Sequence, residues 1–281
     1  MSLKITKPLV TVDWLYKHLN DTNLIVLDCT IPKVTDVAIT DKEKNRVKGA
    51  LFFDLKTTFS DQNASLPNTV LSAEVFETKA RELGINNNST IICYDDLGIY
   101  SAPRVWWMFQ LMGFQNIAVL DGGLPEWKAN NYPTVTNYSK ETGKGNFTAD
   151  FKPHKLKNKA AVYNAMANDT SVIIDARSKG RFLGTAPEPR PELSSGHIPN
   201  SVNIPFNNIL NNRKMKSYAE LSKIFSKFVG VNDFVFTCGS GITASILALG
   251  AAVLGFENTA VYDGSWTEWA SDGNLPIEKE E

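Results

Sequence analysis

The chain of 281 residues contains the same succession of segments twice, and this duplication restricts the possible fold more than any other feature. The first copy reads LIVLDC at 24–29, STIICYDDLG at 89–98 and LMGFQNIAVLDGGLPEW at 111–127. The second copy reads SVIIDA at 171–176, DFVFTCGSG at 233–241 and VLGFENTAVYDGSWTEW at 253–269. The offset of about 142 to 147 residues is too long for a solenoid repeat and predicts a duplicated domain.

Each copy has the pattern of an α/β domain. Short β-branched runs such as residues 172–174 alternate with segments of helical periodicity such as residues 72–84 and 217–230. Continuous apolar strands separated by helices predict a mainly parallel sheet with helices on both faces and ligands at the carboxyl ends of its strands. The polar stretch around residues 137–155 predicts a first domain over 1–137, a linker over 138–155 and a second domain over 156–281.

Charge and composition exclude several classes of partner. Twenty-nine basic and thirty acidic side chains give a net charge of −1, which provides no electrostatic reason to expect a nucleic acid or an anionic membrane. No apolar run approaches the ~20 residues that span a bilayer, so we expect a cytoplasmic protein. The cysteines at 29, 93 and 238 form no CxxC pair, which argues against a structural zinc site and for a reducing compartment.

One cysteine occupies a position where a reactive side chain is expected. Cys238 ends a predicted strand and is followed by Gly239, Ser240 and Gly241 and then by a predicted helix. The glycines allow several backbone N–H groups to turn toward one point, and a helix N-terminus adds to their effect. Such a nest stabilises an anionic sulfur, so we predict that Cys238 is a nucleophilic thiolate.

The duplication supplies an internal comparison for this loop. Alignment of the two copies puts Asp95 opposite Cys238, so packing does not require a thiol at this position. Cys29 and Cys93 lie in or beside apolar strands and are predicted to be buried packing residues. The hydroxyls of Ser240 and Thr243 either add donors to the nest or serve the turn and the helix N-cap.

A phosphatase is the first alternative for a cysteine loop at a strand end. Phosphatase loops close with an arginine six positions after the cysteine, where it binds phosphate in bidentate fashion. Here that position is Ala244, and the loop is short for holding four oxygens. The pattern therefore favours attack on a smaller centre, a single sulfur atom.

Four further segments extend the pattern along the chain: FFDL at 52–55, SAPRVWWM at 101–108, GRFLGTAPEPR at 180–190 and GHIPNSVNIPF at 196–206. With CGSGIT and DGSWTEW, they make the chain resemble the rhodanese-like sulfurtransferases. The resemblance covers essentially the whole chain and implies two tandem rhodanese-like domains, of which the first has Asp95 in place of the cysteine. The loop formed by Cys238, Gly239, Ser240, Gly241, Ile242 and Thr243 is similar to the active loop of the 3-mercaptopyruvate sulfurtransferases.

The resemblance implies a double-displacement reaction. Cys238 takes a sulfane sulfur from 3-mercaptopyruvate, pyruvate leaves, and the persulfide sulfur passes to an acceptor thiol, to thioredoxin or to cyanide. Such nucleophilic catalysis needs no metal or cofactor. The resemblance also implies that Arg181 and Arg190 hold the carboxylate and keto oxygen of the donor. Arg104 is expected either to bind the donor or to form a structural ion pair with Asp95 or Asp96.

The histidines of the chain match the family less well. The resemblance makes His197 a structural residue of a loop, and His18 and His154 have no evident partner in the sequence. Members of the family often carry a histidine after an aspartate corresponding to Asp61, as a proton relay with the loop serine, but residues 62–70 contain none. Proton transfer then falls to Ser240, to water or to Asp61 directly. Two alternatives stay open: an enzyme that prefers thiosulfate, and a persulfide carrier without efficient turnover.

Overall fold

The computed structural model describes residues 3–31, 45–140 and 143–280 and divides the chain into two compact units. The first unit comprises Met1–Gln62, Val70–Lys152 and Asn212–Met215, and the second comprises Asn63–Thr69, Pro153–Asn211 and Lys216–Glu281. The short segment Asn63–Thr69 therefore belongs to the second unit, although it comes from the first repeat. The domain boundaries at residues 137 and 156 stay a prediction. Residues 141 and 142 of the predicted linker, and residues 1, 2, 32–44 and 281, lie outside the described residues.

The described elements of the first unit are short strands and helices that alternate along the chain. Its strands are β1 (Leu9–Val10), β2 (Leu24–Asp28), β3 (Arg46–Val47), β4 (Leu51–Phe52), β5 (Thr90–Tyr94), β6 (Ile117–Leu120) and β7 (Thr134–Val135). Its helices are α1 (Val12–His18), α2 (Ala73–Glu82), α3 (Ala102–Leu111) and α4 (Gly123–Ala129).

The second unit repeats this alternation. Its strands are β8 (Leu156–Lys157), β9 (Ser171–Asp175), β10 (Val202–Asn203), β11 (Leu210–Asn211), β13 (Asp233–Thr237) and β14 (Thr259–Tyr262), whereas β12 (Lys214–Met215) lies in the first unit. Its helices are α5 (Lys159–Ala165), α6 (Lys179–Leu183), α7 (Tyr218–Phe225), α8 (Ala244–Val253) and α9 (Ser265–Ser271).

The two main sheets have the same strand order. The first runs β1-β6-β5-β2-β4 and the second β8-β14-β13-β9-β10, and every neighbouring pair in both is parallel. The predicted mainly parallel α/β architecture is therefore confirmed. Because parallel strands place their carboxyl ends at one edge, residues that follow β9 and β13 meet at the same edge of the second sheet.

Burial explains why the strands read as continuous apolar runs. All five residues of β5 are buried, and helix α8 is buried from Ala244 to Ala251. Such segments are covered on both faces, which removes the alternation of a half-exposed strand. The more exposed α7 begins with a capping box: Ser217 Oγ accepts the Glu220 N–H at 3.4 Å, and the Glu220 carboxylate accepts the Ser217 N–H at 2.9 Å. Among the residues that the structure describes, no helix has both the length and the apolar character needed to cross a membrane.

Candidate active site

Cys238 follows β13 directly and precedes α8, as the sequence predicts. Its side chain is buried, with the residue only 2% exposed, whereas Gly239 and Ser240 are half-buried. Gly241 has φ +81°, a left-handed conformation that favours glycine. This residue lies between Cys238 and the start of α8.

The first residues of α9 hold the loop of Cys238 through hydrogen bonds. The N–H of Trp266 donates to the Cys238 carbonyl at 2.9 Å, and the N–H of Thr267 donates to the Gly239 carbonyl at 3.0 Å. The Cys238 N–H in turn donates to the Ser265 hydroxyl at 3.3 Å. Because these bonds point the carbonyls of Cys238 and Gly239 toward α9, the backbone of the two residues has one defined orientation.

The corresponding loop of the first unit shows what such a loop binds. Asp95 is fully buried, and its carboxylate accepts the N–H groups of Leu97 at 3.0 Å, Tyr100 at 2.8 Å, Ser101 at 2.9 Å and Ala102 at 2.9 Å. Burial raises the pKa of this carboxyl, and the four backbone donors act against that rise. A buried anion is thus held entirely by backbone N–H groups.

The second unit has N–H groups at the equivalent positions. By the alignment of the repeats, the N–H groups that hold Asp95 correspond to those of Ser240, Thr243, Ala244 and Ser245. Of these, the Ser245 N–H donates to the Ile242 carbonyl at 3.2 Å. The two loops share a glycine in the left-handed conformation, Gly98 with φ +108° and Gly241 with φ +81°. Thr243 is the N-cap residue of α8, but its side chain makes no capping hydrogen bond. The first turn of α8 therefore presents N–H groups that no N-cap side chain satisfies.

Arg181 lies against the active loop. Its Nη2 is 3.2 Å from the position that a Cβ on Gly239 would occupy, so the absence of a side chain at 239 makes room for the guanidinium. Its Nε donates to both carboxylate oxygens of Glu188 at 3.1 Å, and its Nη2 also donates to Glu188. The arginine is thereby aimed by a planar, bidentate contact.

Arg190 is linked to the same loop through the hydroxyl of one other residue, Thr267. Its Nη1 donates to Thr267 Oγ1 at 2.8 Å, and this hydroxyl donates to the Gly239 carbonyl at 2.6 Å. Both arginines that the sequence singled out are therefore brought to the loop of Cys238, one in direct proximity and one through Thr267.

Two buried residues that orient Arg181 were missed by the sequence analysis. Arg177 donates to Asp175 from Nη2 at 2.6 Å and to Glu188 from Nη1 at 2.7 Å, and both ion pairs are almost fully buried. Glu188 thus bridges Arg177 and Arg181. Burial would lower the pKa of Arg177, but the Asp175 and Glu188 carboxylates raise it. The sequence signal was present, since Glu188 lies between the two arginines of GRFLGTAPEPR and Arg177 follows a strand-ending aspartate.

Asn68 is a third residue that the sequence analysis missed. It belongs to the segment Asn63–Thr69 of the second unit, is 7% exposed and has φ +62°. Its Nδ2 donates to the backbone carbonyl of Ser240 at 3.0 Å and to the Ser240 hydroxyl at 2.9 Å. No local pattern marks this contact, because 172 positions separate the two residues.

The structure does not bring every predicted residue into the unit of Cys238. Asp61 and Arg104 belong to the first unit. Arg104 is fully buried, and its guanidinium carbon lies 4.5 Å from the centroid of the Trp107 ring. Their assignment to proton transfer and donor binding stays a prediction.

Cys29, Cys93 and His197 are buried, which agrees with their predicted structural roles. Cys29 and Cys93 are fully buried, and burial, with Cys93 beside it, raises the pKa of the Cys29 thiol. His197 stacks on Phe182 at 3.9 Å, and its Nδ1 contacts the Phe182 carbonyl at 2.8 Å, which agrees with the predicted structural role. The expectation that His18 has no partner is wrong: its Nδ1 is 2.7 Å from the Asp21 carboxylate, because the end of α1 brings positions three apart together.

Comparison with known proteins identifies the class. The sequence model of the rhodanese-like domain matches residues 11–130 and 158–272. The chain therefore belongs to the rhodanese-like family, which confirms the resemblance.

Individual relatives match along nearly the whole chain. "Thiosulfate/3-mercaptopyruvate sulfurtransferase 1, mitochondrial" from Arabidopsis thaliana is 38% identical over 305 residues, covering 100% of this chain and 80% of the relative. "3-mercaptopyruvate sulfurtransferase" from Escherichia coli strain K12 is 34% identical and covers 96% of this chain and 97% of the relative. The crystal structure of SseA from Escherichia coli, described as a 3-mercaptopyruvate sulfotransferase with the rhodanese fold, superposes with a TM-score of 0.82 at 32% identity, covering 93% of this chain and 99% of that one.

Proposed function

We propose that the protein is a sulfurtransferase that moves a sulfane sulfur from 3-mercaptopyruvate to an acceptor through a persulfide on Cys238. The observation that carries this proposal is the pair of equivalent loops. The first holds a buried carboxylate with backbone N–H groups, and the second has a cysteine where that carboxylate stands. The relatives named as 3-mercaptopyruvate sulfurtransferases support the choice of donor.

In the first half-reaction, the Cys238 thiolate attacks the sulfur of the donor. A sulfur–sulfur bond forms, the carbon–sulfur bond of the donor breaks, and the electron pair of that bond stays on the carbon as the enolate of pyruvate. The cysteine sulfur and the transferred sulfur are each oxidised by one electron, and the carbon is reduced by two. The proton of the donor thiol moves to that carbon, so that pyruvate and a persulfide anion are the products. The N–H groups of Ser240, Thr243 and Ala244 stabilise both the thiolate and the persulfide anion.

Arg181 and Arg190 are proposed to bind the carboxylate and keto oxygen of the donor. Arg181 adjoins Gly239, and Arg190 is linked to the Gly239 carbonyl through Thr267. Guanidinium groups suit this task because their planar donors match a carboxylate. The roles of Arg104 in donor binding and of Asp61 in proton transfer are proposed from the family resemblance alone.

In the second half-reaction, the acceptor attacks the outer sulfur of the persulfide. The new bond forms to the acceptor, the sulfur–sulfur bond breaks, and Cys238 returns as the thiolate. A small thiol, a thioredoxin thiol and cyanide all satisfy this chemistry, since each is a nucleophile toward sulfane sulfur. A cytoplasmic location, with its pool of reduced thiols, is part of this proposal.

Thiosulfate is the second candidate donor, and the absence of a histidine from residues 62–70 favours it. Transfer from thiosulfate leaves sulfite and requires no proton at carbon. Steady-state turnover with each donor and cyanide as acceptor tests the choice, and we expect the larger kcat/KM with 3-mercaptopyruvate. A larger value with thiosulfate would reverse the donor assignment, and a single turnover with both would identify a persulfide carrier.

A further inference from the structure

The hydrogen bonds of Asn68 determine where the Ser240 hydroxyl can donate. A backbone carbonyl only accepts hydrogen bonds, so the contact with the Ser240 carbonyl at 3.0 Å requires the amide nitrogen of Asn68 to face the loop. The same nitrogen is 2.9 Å from Ser240 Oγ, and this oxygen is therefore the acceptor of that bond. The hydroxyl hydrogen of Ser240 then points away from Asn68.

The conformation of Asn68 suits a fixed position. Its φ of +62° lies in the left-handed region, which asparagine tolerates better than most residues. Its 7% exposure leaves the amide little freedom to rotate. An amide also does not titrate in the pH range of an enzyme, so Asn68 cannot take a proton from the Ser240 hydroxyl as a histidine would.

We propose that Asn68 is a positioning residue that holds the Ser240 hydroxyl as a hydrogen-bond donor toward the bound sulfur donor. This inference rests on the proposed function. The two candidate donors depend on such a hydroxyl to different degrees. Release of pyruvate requires that a proton reach the carbon of the enolate that forms when the carbon–sulfur bond breaks, whereas release of sulfite moves no proton. Loss of the Asn68 amide therefore impairs transfer from 3-mercaptopyruvate more than transfer from thiosulfate.

A double-mutant cycle tests this proposal. Asn68→Gly removes the side-chain amide, and glycine adopts the positive φ of this position without strain. Asn68→Asp keeps the shape of the side chain but presents only hydrogen-bond acceptors to the Ser240 carbonyl. Each is combined with Ser240→Ala. Asn131→Gly is the matched control, because Asn131 has φ +56° and is exposed. The measurements are kcat and KM with both donors across pH 6 to 9.

We expect both Asn68 variants to lower kcat with 3-mercaptopyruvate by about three- to tenfold, the effect of one hydrogen bond, and to lower kcat with thiosulfate less than twofold. In the Ser240→Ala background, most of the loss caused by either Asn68 substitution disappears, because Asn68 acts through the hydroxyl. Equal losses with both donors, or losses that add fully to that of Ser240→Ala, would overturn the proposal.

Failure of the proposed function has a different signature. If the unmodified protein turns over neither donor, the function assignment fails. The same double-mutant cycle is then applied to the rate at which iodoacetamide alkylates Cys238, because this reaction needs no sulfur donor. Non-additive effects of Asn68→Gly and Ser240→Ala on that rate support the positioning role, and additive effects contradict it.

Discussion

Asp95 and Cys238 occupy equivalent positions in the two units. Each follows a central strand of its sheet, and its backbone carbonyl accepts an N–H from the first turn of a helix, that of Leu124 at 3.0 Å and that of Trp266 at 2.9 Å. The first position holds a carboxylate within four backbone N–H groups, and the second holds a thiol. The duplicated fold therefore places a carboxylate in one unit and a thiol in the other at equivalent loop positions.

This equivalence predicts that Cys238→Asp keeps the fold and loses sulfur transfer. The loop of Asp95 demonstrates that a carboxylate is accommodated, whereas a carboxylate cannot carry a sulfane sulfur. Circular dichroism, urea unfolding and turnover with both donors check this expectation. Cys93→Ala is the control and retains turnover. Measurable multiple turnover by Cys238→Asp would exclude Cys238 as the sulfur carrier.

Removal of either arginine is expected to weaken donor binding. Arg181→Ala and Arg190→Ala each delete a charge-assisted contact worth about 1.5–3 kcal/mol, which corresponds to roughly a ten- to hundredfold rise in KM for 3-mercaptopyruvate. Lys179→Ala is the matched control, because this exposed residue carries the same charge on the same helix as Arg181. Unchanged kinetics in both arginine variants would remove these residues from the site.

Glu188 is expected to contribute to the free energy of unfolding. Its carboxylate pairs with Arg177 and Arg181, and only the Arg177 pair is buried on both sides. Glu188→Ala removes one carboxylate partner of the buried Arg177, which keeps Asp175 and the Gly196 carbonyl, and should lower the free energy of unfolding by about 3–5 kcal/mol. Urea unfolding measures this loss, with exposed Glu192→Ala as the control. A loss below that of the control variant would show that the buried network is not needed.

The carboxyl of Asp95 predicts a pH dependence of stability. Burial raises its pKa, so the native state binds this proton more tightly than the unfolded chain does. Its contribution is complete below the unfolded pKa of about 3.9 and is lost as pH rises through the higher native pKa. Urea unfolding at a series of pH values should show a fall above pH 4 that Asp95→Asn reduces and exposed Asp169→Asn does not. Identical slopes in all three proteins would contradict the shift.

Much of the fold and part of the site could be predicted from the sequence. The strand cores and the loop of Cys238 were predictable because the chain contains each segment twice and the glycines mark the turns. Asn68 was not predictable, since its role depends on a contact across 172 positions and on its membership of the second unit. The link from Arg190 through Thr267 to Gly239 likewise arises only after the sheet brings separate loops to one edge. Local patterns carry no information about such partners.

The location of the transferred sulfur decides whether Cys238 carries the persulfide. The reduced protein is incubated with 3-mercaptopyruvate without acceptor, the product is trapped by alkylation, and the peptides are analysed by mass spectrometry. We expect one added sulfur on the peptide of Cys238, which a thiol acceptor then removes. Added sulfur on Cys29 or Cys93, or none on Cys238 while pyruvate is released, would contradict it.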